Sequence, residues 1–143
     1  MAGLRTKRKR GKTKIQSVFP GHNKVKVGFP SGVSEEVVMK AIYNNFGTEH
    51  IDERPFMDNA IRGNKLKYSK LMMQAAKKLF RGEIDMTTVM SRIGLVATGD
   101  IQEEIINLRS PENSPATVKR KGSSNPLIDT GEMKNSVTHI TYD

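Results

Sequence analysis

The first clear alternation of apolar and polar side chains is Lys24-Val25-Lys26-Val27-Gly28-Phe29, which places Val25, Val27 and Phe29 on one face. A period of two over so short a stretch predicts a half-buried strand, and Pro30-Ser31-Gly32 supplies a turn behind it. The period then changes. Val37, Val38, Ala41 and Ile42 recur at helical spacing, behind the N-cap residue Ser34 and the dipole-complementing Glu35 and Glu36. With Gly47 as a C-terminal stop, these signals predict a helix over 35–46. Thr48 to Phe56 contains Arg54-Pro55 and reads as a loop or short strand, because a residue before proline is pushed to extended geometry.

Helical spacing returns at Asp58. Tyr68, Leu71, Met72, Ala75, Ala76, Leu79 and Phe80 form one stripe, with lysines on much of the remaining surface and Gly63-Asn64 as a break between a short and a long helix. The stripe reads as core, as do Met72, Met73, Met86 and Met90, although eight Met also fit an adaptable apolar surface. Gly82 ends this segment, and Asp85 caps a second long helix with an apolar stripe of Met86, Val89, Met90, Ile93, Ala97, Ile101, Ile105 and Leu108. Gly94 and Gly99 within it point to close packing against another backbone or to a kink. Ser110 to Pro115 is a turn-rich connector, and Thr117 to Lys121 reads as an edge strand with charged protection. The β-prone run Val137 to Tyr142 reads as a docking strand. The fold class is α+β: a small, mostly antiparallel sheet packed against two long helices.

Charge divides the chain. Seven basic residues (Arg5, Lys7, Arg8, Lys9, Arg10, Lys12 and Lys14) stand without an acid between them, leaving 17 basic against 15 acidic residues elsewhere. The net charge of +9 therefore belongs mainly to a disordered or extended basic N-terminal arm over 1–14, followed by a nearly neutral single domain over 15–143. Such an arm suits an anionic partner, either phosphates or an acidic protein surface, and would bind in a salt-dependent way. It has no aromatics for base stacking. Lys119-Arg120-Lys121 is a second candidate contact. A nucleic-acid-binding module working through the arm is accordingly one functional reading.

Candidate chemistry is sparse. With 143 residues and no Cys, the chain has no disulfide framework, cysteine nucleophile or thiolate metal site. His22, His50 and His139 lie far apart, so neither a metal site nor a cofactor is expected. No apolar run suits a membrane span, and the basic N-terminus lacks the apolar core of a secretory signal; composition reads as soluble and intracellular. Leu127-Ile128-Asp129-Thr130-Gly131 matches the Asp-Thr-Gly string of aspartic proteases. Its setting argues for a turn instead, with Asp129 as N-cap and Glu132 as its N3 partner before a short helix. Phosphate loops, zinc-binding helix motifs and nucleophile elbows are all missing, so no enzyme is expected.

Two sets of strings go further. Asn44-Asn45-Phe46-Gly47-Thr48, then Ile51-Asp52-Glu53-Arg54-Pro55-Phe56 and Ala60-Ile61, is followed much later by Pro111-Glu112-Asn113-Ser114-Pro115, Lys121-Gly122-Ser123-Ser124 and Pro126 to Gly131. Together they resemble the virion-morphogenesis, or tail-completion, proteins of tailed bacteriophages (the minor tail protein Z-like group). The likeness runs over about 35–143, with Asn45 in place of the usual Glu and Asp52 in place of the usual Pro. It implies a structural virion protein of the neck or tail top, made in the host cytoplasm. It further implies a homo-oligomeric ring, six- or twelve-fold, that completes the tail and joins it to the head connector. Implied partners are further copies, neighbouring neck, connector or tail proteins, and DNA in the channel contacted without sequence preference. Gly47, Asp129 and Gly131 are then structural turn residues. Arg54-Pro55-Phe56 suits an interface, as a planar cation and an exposed aromatic on a rigid proline turn, unless Phe56 staples the next helix to the core.

Overall fold

The computed structural model describes residues 19–143. Strand β1 (Lys24–Gly28) pairs antiparallel with β2 (Thr138–Tyr142), in the register Lys24 to Tyr142 and Val27 to His139. Six helices lie between them: α1 (Glu35–Phe46), α2 (Phe56–Gly63), α3 (Lys65–Phe80), α4 (Met86–Asn107), α5 (Pro115–Lys121) and α6 (Glu132–Asn135). A two-stranded antiparallel sheet with two long helices is the α+β arrangement that the periodicities predict.

Helix α4 is the spine. Asp85 caps it by accepting from the Thr88 amide at 2.7 Å, and the two Thr88 contacts hold the Asp85 carboxyl below its usual range. The sheet packs on its N-terminal half and α2 on its C-terminal half. At Gly94 an added Cβ would lie 2.5 Å from the His139 ring and 2.7 Å from Val25, so the glycine sets how closely both strands approach. Gly99 instead faces open space; the packing expected there is absent. Phe56, Ile101 and Ile105 are wholly buried and, with Val37, Ala41, Leu127, Met133 and Val137, form the main core. At about 25 cal/mol per Å² of apolar surface, burying a side chain the size of Phe56 stabilises by roughly 1.5–3 kcal/mol.

Several local expectations change. Residues 117–121 belong to helix α5, not to an edge strand. Ser114 caps it through the Thr117 amide, and Pro115 occupies the first turn, where a missing N–H does no harm. Asp129 does not cap α6. Gly131, at φ +82, precedes that helix, and the Thr130 hydroxyl accepts from the Glu132 amide at 3.3 Å. The apolar stripe of α3 is not core either: none of its residues is buried. Tyr68, Leu71, Ala75 and Leu79 are half-buried, whereas Met72, Met73 and Phe80 are exposed. What joins α3 to α4 is partly polar. Asp100, buried on α4, accepts from the Lys67 ammonium and, at 2.7 Å, from the Tyr68 hydroxyl.

Candidate functional site

Chain segments far apart in sequence converge on Arg54. Its backbone amide donates to the Asn44 carbonyl at 2.7 Å, which folds the loop after α1 back onto that helix. Gly47, at φ +72, makes the reversal, and the Ile51 carbonyl accepts from the Thr48 amide at 2.8 Å. The guanidinium then reaches across the chain. Nε donates to the Pro111 carbonyl at 2.7 Å, and Nη2 to the Glu112 carbonyl at 3.1 Å and to Asn113 Oδ1 at 3.4 Å. Nη1 donates to the Asp52 carbonyl at 3.2 Å. All three guanidinium nitrogens are thereby engaged, which is what permits an Arg only 4% exposed.

The expected exposed cation and aromatic at 54–56 are thus inside the molecule. Phe56 is 0% exposed, so of the two roles considered for it, stapling α2 to the core is the one the packing supports. The missing signal lies in the distant acceptors: the Pro111 and Glu112 carbonyls are more than fifty residues downstream, and main-chain geometry leaves no mark in the composition around Arg54.

The neighbouring polar contacts extend the same clasp. Asn45, also buried, accepts from the Met57 amide at 3.2 Å. Asn113 donates to the Pro126 carbonyl at 3.3 Å, and Asn125 Oδ1 accepts from the Leu127 and Ile128 amides. Beside these contacts opens a cleft of about 390 Å³, bounded by α1, the 50–54 loop, α5 and the 126–133 segment. Its lining is mixed in charge, with Lys40, Arg120 and Lys121 alongside Asp52, Asp129 and Glu132.

Lys121 is tied down, with Nζ donating to the Asn125 carbonyl at 3.1 Å. Burial pushes its ammonium below the usual lysine range; Arg54 and Arg120 add repulsion, while Asp129 opposes the shift. Lys119 and Arg120 are exposed on the last turn of α5, where cations favour the negative end of the dipole. Asp129 is exposed at the cleft rim. The arm residues Arg5, Lys7, Arg8, Lys9, Arg10, Lys12 and Lys14 lie outside the described residues.

Among the described residues no cluster of three His, Asp or Glu side chains is placed to hold a metal ion. None of their helices is long and apolar enough to cross a membrane. Chemically, the site is a crosslink with a charged cleft at its edge. No family model, curated protein or solved structure matches the chain.

Proposed function

We propose that the chain is a structural protein of the phage virion, a ring subunit of the neck or tail top that completes the tail and joins it to the head connector. One observation carries this reading. The strings at 44–61 and 111–131 on which the resemblance rests are far apart in sequence, yet they are stitched together by Arg54 and its carbonyl partners. A resemblance scattered by chance has no reason to gather on one clasp. The mixed charge of the adjoining cleft suits contacts with neighbouring proteins, and no catalytic step is assigned to it.

Negative-stain microscopy of the purified full chain and of virions tests the proposal. Rings in solution and density for the protein at the neck are expected; a strictly monomeric protein absent from virions would overturn it.

A second reading, a nucleic-acid-binding module, is favoured by the seven cations between Arg5 and Lys14. Deleting 1–14 and titrating DNA across salt separates the two. A salt slope reflecting several phosphates, lost with the arm, supports DNA contact. Unchanged assembly without the arm leaves the neck role to the domain.

A further inference from the structure

Helix α3 carries its most exposed large apolar side chains on one line, at whose end the Phe19 ring meets Phe80 edge-on and leaves most of it bare. Leu66, Lys70, Met73, Lys77 and Phe80 follow one another at alternating steps of four and three residues, and all five are exposed. Leu66, Met73 and Phe80 are 78%, 63% and 76% accessible, values far above those of ordinary packed residues of their type. That spacing lays a straight seam along a helix. Lys65 to Phe80 contains no acidic residue, and among the described residues Lys70 and Lys77 have no ion-pair partner.

A second seam of opposite character runs along α1. Glu35, Met39, Ile42 and Phe46 follow at the same alternating steps, with Met39 half-buried and Ile42 and Phe46 42% and 72% accessible. Glu35 has no ion-pair partner among the described residues, and Glu49, Asp52 and Glu53 follow in the loop just beyond. The helices are about 18 Å and 24 Å long at 1.5 Å per residue, so one seam can lie along the other. In either direction, Met39 set opposite Met73 brings Glu35 opposite one lysine, Ile42 against the aliphatic stem of the other, and Phe46 opposite an apolar side chain.

We propose that α3 of one copy packs along α1 of the next copy, head to tail; this rests on the ring reading given above and names its lateral contact. Charge selects the occupant. Packing α3 on α3 would set lysine against lysine, and the basic segment Arg5 to Lys14 would likewise bring like charge. A membrane surface prefers a broad apolar face, whereas lysines interrupt this seam at every other step. Because the two faces are different patches of one surface, repeated contact is heterologous and generates rings or open filaments, not closed two-fold dimers.

The absence of native cysteine makes the test direct. Full-length chains with Ile42→Cys, with Met73→Cys and with both are treated with a short bis-maleimide. Mixing the single variants should give a crosslinked pair, and the double variant a ladder of multimers. Adding Lys70→Glu and Lys77→Glu should reduce the ladder about tenfold or more, equivalent to about 1.4 kcal/mol or more of contact energy. Crosslinking of Met73→Cys to itself, no crosslink at all, or capture of the wild type by anionic vesicles without any crosslink would each overturn the contact. Rings that persist without an Ile42–Met73 crosslink would overturn this contact and leave the ring reading intact. A ladder from a protein absent from virions would do the reverse.

Discussion

Gly94→Ala adds one methyl group to α4 at the point where both strands come closest. The new carbon would sit 2.5 Å and 2.7 Å from two ring atoms of His139 and 2.7 Å from Val25 Cγ2. Ordinary carbon contacts are about 3.5–4.0 Å, so roughly 1 Å of clearance must be found. Cγ and Cδ2 of His139 clear the new carbon only if χ1 leaves its present rotamer or β2 shifts. Val25 Cγ2 is likewise cleared only by a new rotamer of a stiff β-branched side chain or by a shift of β1. Overpacking of this kind costs about 1–3 kcal/mol, while alanine in place of glycine in a helix returns about 1 kcal/mol. With the contacts anchored near the backbone, the upper half of the range applies, and a net loss of about 1–2 kcal/mol is expected. Gly99 provides the control on the same helix. Nothing lies within 4 Å of its added Cβ, so Gly99→Ala should stabilise by about 0.5–1 kcal/mol through propensity alone. Urea unfolding followed by far-UV circular dichroism should show midpoints moving in opposite directions with an unchanged denaturant slope. A Gly94→Ala protein at least as stable as wild type would refute the packing account.

Arg54→Lys should destabilise nearly as much as Arg54→Ala, by about 2–4 kcal/mol, because an ammonium cannot span the Pro111 and Glu112 carbonyls together; a lysine variant of wild-type stability in denaturant would contradict this. Burial, reinforced by the Asp100 hydrogen bond, raises the Tyr68 phenol above its ordinary value. The unfolded chain therefore ionises first, and stability present below about pH 10 should fall as pH rises beyond it. In Tyr68→Phe that alkaline loss should be smaller, and identical pH profiles for the two proteins would contradict the assignment. Asp129→Asn should leave folding unchanged, read as an unaltered denaturation midpoint; an acid peptidase activity in wild type that this substitution abolishes would replace the turn reading with a catalytic one.

The parts of the fold legible in the sequence are those specified by local chemistry. Ser34 and Gly47 bound α1, Gly63-Asn64 separates α2 from α3, and Asp85 starts α4, each through a cap or break with a short-range cause. The helix at 115–121 was also marked, by Ser114 and Pro115, but the β-branched pair Thr117-Val118 outweighs them when propensity alone is read. Burial of Arg54 and exposure of the α3 seam are of another kind. Both depend on what chain arrives from elsewhere: distant carbonyls in the first case, and in the second the little that covers the seam among the described residues, where the Phe19 ring meets Phe80 edge-on. An amphipathic pattern identifies a face that prefers to be covered, and leaves open whether this chain or another one covers it.

The pairing of β1 with β2 also fixes the order in which the domain can be completed. Val25 waits for Thr141, more than a hundred residues later in synthesis, and until then the glycine side of α4 has no second strand over it. The α2–α4 core and the Arg54 clasp use residues that emerge earlier. Closing the sheet is thus a contact of high sequence separation, carrying a loop-closure cost that the local helical contacts do not. A chain truncated before residue 138 would leave β1 an unpaired edge, the kind of strand that templates pairing with other chains.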